Sequence, residues 1–277
     1  MYKPFHFLYC VGKLFDFDDF RDASVLLKAT LILCICLFAA LIAGTLIAYF
    51  VLKAKGKRDV IRTKDLTYGA ICLASSYALS FLGIGLPYGG TVTVASVLPV
   101  MIYCYYFGFN KGLVVATAYT VLQFFQSPYI VHPMSAVLDY VIPYLSLVFL
   151  GIFSYRQARF NKAAAENKHP LRAHAFFFIG IACYFTVRYI SHVLSGVIFY
   201  GDYIAWDGWW QNHLWTYSFA YNGAFLIPDT VITLCAAIGV LSSKAFNRFM
   251  AVSANALQNT DTAAKNNEGT AAGADER

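Results

Sequence analysis

In the stretch RYISHVLSGVIFY, four residues with useful chemistry recur at four-residue intervals: Arg188, His192, Gly196 and Tyr200. On a helix that spacing lines them along one face. The face would carry a cation, an imidazole, a gap and a phenol. Asp139 and Tyr140 stand together in SAVLDYVIPY, Tyr129 precedes them in SPYIVHP, and Tyr217 and Asn222 follow in TYSFAYNG. Such a set can donate and accept hydrogen bonds, stack on a ring and attract a cation. Capture of a small polar molecule suits it best. Blander roles stay open: Arg188 and Asp139 can form a structural ion pair, and Gly196 can serve close helix packing. Asp139 and His192 could also act as acid and base in a membrane enzyme. The chain has no HExxH zinc motif and no nucleophile motif, so no catalytic or metal-binding residue is assigned.

The elements that must position these residues are membrane helices. Of the 277 residues, 59% are hydrophobic and only 13% charged, against about 25% charged in a soluble domain. The apolar residues come in runs, and residues 29–52 contain no charge at all. A spanning helix needs about 20 such residues. Seven spans emerge, at 25–52, 65–86, 90–108, 111–127, 134–155, 173–200 and 214–243. The first run is too long and too far from the N-terminus for a cleaved signal, so it reads as a retained helix.

Charge orients the spans. The basic segments 53–64 and 155–172, the turn at Asn110–Lys111 and the end at Lys244 and Arg248 all fall on one side, which is cytoplasmic by the positive-inside rule. The N-terminus is then outside and the C-terminus inside. At about 1.5 Å per residue, Arg188 lies near mid-membrane and His192 about 12 Å below the outer surface. Asp139, Tyr217 and Asn222 reach the same depth from two other helices, which predicts a polar pocket open to the outside. Intramembrane polar residues mark function by default.

The net charge of +6 is dispersed between apolar runs and implies no nucleic-acid partner. The seven cysteines form no CxxC pair and read as small hydrophobes. Without a GxxxxGK[ST] loop, any nucleotide hydrolysis belongs to another chain. Ala70, Ala74 and Ala78 form a small-residue strip on which a second helix could lie. The polar tail 251–277 cannot bury enough surface to order itself and is expected to be disordered.

From about residue 65 to 245, the chain resembles the substrate-binding S components of energy-coupling factor (ECF) vitamin transporters, and most closely the thiamine-specific type. The family's pattern is a tyrosine, then Glu-Tyr, then Lys-x3-His-x3-Gly-x3-Trp, then Tyr-x4-Asn. Tyr129, Asp139-Tyr140, Arg188, His192, Gly196, Tyr200, Tyr217 and Asn222 occupy those places, with Tyr203, Trp206 and Trp209 between. Asp139, Arg188 and Tyr200 replace the family's glutamate, lysine and tryptophan, and Gly90 stands where a further tryptophan is expected.

The resemblance implies an all-α membrane protein: a six-helix S-component bundle at 65–245, preceded by one extra transmembrane helix and basic linker at 25–64. Residues 1–24 would be an extracellular amphipathic segment. The resemblance also implies a non-enzymatic role, without cofactor, in a bacterial cell membrane. Thiamine or a close precursor would bind at the nine matched positions, and Ala70, Ala74 and Ala78 would face a transmembrane coupling subunit driven by two ATPase subunits. The altered positions keep a different vitamin or heterocycle in view as the ligand.

Overall fold

The helix expected over 65–86 stops early, at Ser80, because the residues that follow do not suit a helix. In a computed structural model of the protein, residues 61–126, 128–152, 174–200 and 214–250 are described. The expected first span (25–52), the segment before it, most of the basic linker, the loop at 155–172, the aromatic stretch at 201–213 and the tail lie outside the described residues. The elements are α1 (Thr63–Ser80), β1 (Gly83–Gly85), β2 (Thr91–Thr93), α2 (Leu98–Phe107), α3 (Phe109–Gln123), α4 (Pro133–Ile152), α5 (Ala175–Phe199) and α6 (Leu214–Ser242). A helical stretch at 244–250 follows α6.

Between α1 and α2, hydropathy merged a hairpin with two helices. Gly83, Gly85, Pro87, Gly89 and Gly90 are poor helix formers, while Thr91-Val92-Thr93 favours a strand. They pair antiparallel, with Gly83 opposite Thr93, Ile84 opposite Val92 and Gly85 opposite Thr91. The tip is a short 3-10 turn, Pro87–Gly89, in which Gly89 has φ +92° and Tyr88 φ 64°. The expected 90–108 span therefore opens as a strand and is helical only from Leu98.

Helix α2 has ten residues, nine of them buried. Its length of about 15 Å is half the roughly 30 Å hydrocarbon core, so it is enclosed by protein and does not cross alone. Of the described helices, α4, α5 and α6 are long and apolar enough to cross a membrane. Gly108, at φ +90° and ψ 178°, breaks the chain between α2 and α3 in a conformation open to glycine. The apolar core gathers around α2, with Met101, Tyr103, Tyr105, Leu147, Phe177 and Ile181 almost fully enclosed. Ile190, Ile227, Val231 and Ile238 point outward from α5 and α6, as a lipid-facing surface requires.

Two polar devices hold α1 in place. Ser76 accepts a hydrogen bond from the Val100 N–H (3.2 Å), one of the free donors at the start of α2. A Ser76→Ala variant leaves that buried donor unpaired, and should lose about 1–3 kcal/mol of stability in thermal unfolding in detergent. At the other end, Asp65 is fully buried and pairs with Lys111 at 2.8 Å. It also accepts from the Arg62 N–H, and its carbonyl from the Tyr103 hydroxyl. Lys111 is thus a neutralised, buried cation.

Candidate functional site

Asp139 owes its place to a break in α4. Pro143, four residues on, has no N–H to return to the Asp139 carbonyl, and the helix widens into a π segment over Val137–Val141. The Ile142 N–H donates to the Val137 carbonyl five residues back. Such π turns inside α-helices recur at functional sites.

The widened turn presents Asp139 to α5. Asp139 Oδ1 lies 2.9 Å from His192 Nδ1, and Oδ2 accepts from the Ser195 hydroxyl at 2.7 Å. The Tyr200 hydroxyl approaches the same oxygen at 3.4 Å and donates to the Tyr129 carbonyl at 3.0 Å. With Nδ1 engaged, His192 keeps Nε2 for a ligand. The neighbouring tyrosines lock one another in place. The Tyr140 hydroxyl accepts from the Tyr129 N–H at 3.0 Å, and the Tyr129 and Tyr200 rings stack at 5.9 Å.

Arg188 does not pair with Asp139, contrary to the ion pair weighed from the sequence. It is buried and binds Asp229 of α6, with Nη1 to Oδ2 at 2.9 Å. Asp229 is fully buried, and its Oδ1 accepts from the Thr93 N–H (3.2 Å) and hydroxyl (2.8 Å). One carboxylate thus joins α5, α6 and the hairpin. Asp229 is a residue that the sequence reading missed. The signal was present, since it is the one charge in the apolar run 214–243.

Gly196 lies both at a helix contact and on a cavity wall. A Cβ there would collide with the Ser218 side chain, so α5 and α6 approach closely, and the residue still faces a cavity. Asn222 Nδ2 donates to the Ser218 carbonyl at 2.9 Å, with Ser218 Oγ at 3.1 Å and the His192 carbonyl at 3.3 Å. The hydrogen bonds of Asn222 to described residues all run through Nδ2.

A cavity of about 290 Å³ lies between the hairpin, α3, α4, α5 and α6. All nine residues picked from the sequence line it: Tyr129, Asp139, Tyr140, Arg188, His192, Gly196, Tyr200, Tyr217 and Asn222. It is small for a ligand pocket, which typically spans about 300–1,000 Å³, and fits a molecule of two small rings. Gly90 also lines it, and a Cβ there would meet Phe225 and the Tyr221 hydroxyl at 2.8 Å. Side chains from α6 therefore occupy the space beside Gly90.

Tyr221, Tyr88 and Phe225 are wall residues without a sequence signal, because their places depend on how the hairpin docks. Tyr221 stacks on Tyr217 at 5.8 Å and meets Tyr88 edge-on at 6.3 Å. Its hydroxyl accepts from the Gly90 N–H at 3.0 Å and donates to the Pro87 carbonyl. A Tyr221→Phe variant keeps the ring and frees the turn. Its expected effect is roughly a 10-fold loss of ligand affinity through faster dissociation, read by stopped-flow.

The family model described as "Thiamine transporter protein" matches residues 66–249. The chain belongs to that family. It is 27% identical over 169 residues to thiamine transporter ThiT of Bacillus subtilis, covering 59% of this chain and 82% of the relative. ThiT of Lacticaseibacillus paracasei is 30% identical over 122 residues, covering 44% of this chain and 56% of the relative. A solved structure of ThiT from Listeria monocytogenes shares the fold, with TM-score 0.53 and 21% identity over 66% of this chain and 96% of that one. The family's members are membrane transporters, so this chain is a multi-pass membrane protein of a non-enzymatic family.

Ala70, Ala74 and Ala78 are exposed on α1, flanked by exposed Leu66 and Ile71. The strip points away from the cavity-bearing bundle.

Proposed function

We propose that this protein is the substrate-binding S component of an ECF-type transporter, and that its cavity captures thiamine from outside the cell. The charge balance of the wall carries this reading. Arg188 is neutralised by Asp229, so its cation does not repel a cationic ligand. Asp139, whose partners among the described residues are an imidazole and two hydroxyls, places a carboxylate with no buried cation beside it on the cavity wall. Thiamine brings a permanent thiazolium cation and an aminopyrimidine. The cation is attracted by Asp139 and by the faces of Tyr88, Tyr129, Tyr200, Tyr217 and Tyr221. The amino group can donate to Asp139, to His192 Nε2 or to the Asn222 oxygen.

Capture comes first, and release of the vitamin into the cell needs further proteins. We place the coupling subunit on the Ala70, Ala74 and Ala78 strip, where small side chains allow close helix approach. Two ATPase subunits on the cytoplasmic side supply the energy. The cavity mouth then opens outside, with the N-terminus outside and the C-terminus in the cytoplasm. The chain divides as read from sequence, with the binding domain at 65–245 behind an added helix at 25–64.

Equilibrium binding to the purified protein in detergent tests the ligand. Thiamine should bind and compete with its phosphates, while an uncharged analogue lacking the quaternary nitrogen should bind far more weakly. Failure to bind thiamine, its phosphates or its pyrimidine precursor would remove the ligand assignment. Co-purification with a coupling subunit and ATPases, lost on Ala74→Trp, tests the assembly.

A further inference from the structure

We propose that Gln123 is a specificity-determining ligand contact whose carboxamide reads a donor–acceptor edge on the captured heterocycle. This inference rests on the thiamine-binding reading above. Gln123 is the last residue of α3, is 6% exposed, and lines the cavity. Its amide nitrogen is closed to solvent and has no hydrogen-bond partner among the described residues. Arg188 Nε shares this state, but other polar atoms of the wall are engaged. Gln126 Oε1 accepts from the Ser80 hydroxyl, Arg188 Nη1 donates to Asp229, and Asn222 Nδ2 donates to Ser218.

An unpaired amide buried in a membrane-embedded wall destabilises the empty protein. Apolar side chains fill the same volume without that penalty, so a glutamine here marks a group whose partner arrives with the ligand. A carboxamide carries a donor and an acceptor side by side. Its last torsion has a broad two-fold preference, so either can turn toward the cavity. The matching ligand edge is an amino group beside a ring nitrogen, the edge that glutamine reads with two parallel hydrogen bonds on adenine. An aminopyrimidine presents that edge. Hydrogen in place of the amino group removes the donor and breaks the match, whereas an oxo group only reverses the edge, which the turned carboxamide also reads.

The test uses the full chain in detergent, as wild type, Gln123→Leu and Gln123→Met. Binding of thiamine and of its analogue with the ring amino group replaced by hydrogen is measured, together with the ligand-free Tm. Both variants should weaken thiamine binding by about 10- to 100-fold, shrink the preference for thiamine over the deamino analogue by a similar factor, and leave the ligand-free Tm equal or higher. Unchanged thiamine affinity in both variants would overturn the proposal. So would an equal loss for both ligands, or a lower ligand-free Tm, since either assigns Gln123 to packing. Wild-type protein that fails to bind thiamine refutes the ligand reading itself, a result separable from a wild type that binds and a variant that binds as well.

Discussion

Asp229→Ala should lower the stability of the protein by about 3–5 kcal/mol, the cost of leaving a buried cation without its partner. Arg188 is buried, and the Tyr144 ring, 5.8 Å from its guanidinium carbon, is a weak substitute for a carboxylate. The substitution also strips the Thr93 N–H and hydroxyl of their acceptor, so the hairpin should loosen with the helices. Asp229→Asn can still accept from Thr93 and should fall between alanine and wild type. Replacing the pair together, as Arg188→Met with Asp229→Leu, should recover much of the loss, because two well-packed apolar groups need no pairing. Unfolding midpoints in detergent for the singles and the double measure this coupling. A wild-type midpoint for Asp229→Ala would show that the pair carries no load.

Asp139→Asn should reduce thiamine affinity by about 10²- to 10³-fold while leaving the unfolding midpoint within a few degrees of wild type. A unit charge about 4 Å from a cation is worth about 4 kcal/mol at an effective dielectric of 20, which sets the upper end of this range. Asparagine keeps the shape and still accepts from the Ser195 hydroxyl, so the wall should survive. The charge alone is removed. Asp139→Glu keeps the charge one methylene further out and should retain most of the affinity. Equal affinities for wild type and Asp139→Asn, measured by equilibrium binding, would remove Asp139 from recognition of the cation.

The pocket was legible in the sequence because membrane burial makes polar residues conspicuous. Arg188, His192, Gly196 and Tyr200 share a helical face at any packing angle, since four-residue spacing alone puts them there. Asp139 and Asn222 stand out for the same reason, as polar groups in apolar runs. Asp229 obeys the same rule, but sequence alone cannot choose between two intramembrane carboxylates as the partner of Arg188. Spacing within a helix says nothing about which residue of another helix lies opposite. The pairing of Arg188 with Asp229, and of His192 with Asp139, follows from how α4, α5 and α6 are rotated against each other.

Hydropathy, spacing and composition determined that this chain is a helical membrane protein, where its long helices run, and which residues could line a pocket. Those properties depend on single segments meeting lipid, and each segment carries its own record of that. Tertiary structure decided where the hairpin replaces helix at 83–93, how a ten-residue α2 is enclosed, and how the charges are shared. It drew Lys111 into a pair with Asp65 and Arg188 into a pair with Asp229, and among the described residues it gave the Gln123 amide nitrogen no partner. Charge compensation is a relation between segments far apart in sequence, so only the packed bundle could assign it.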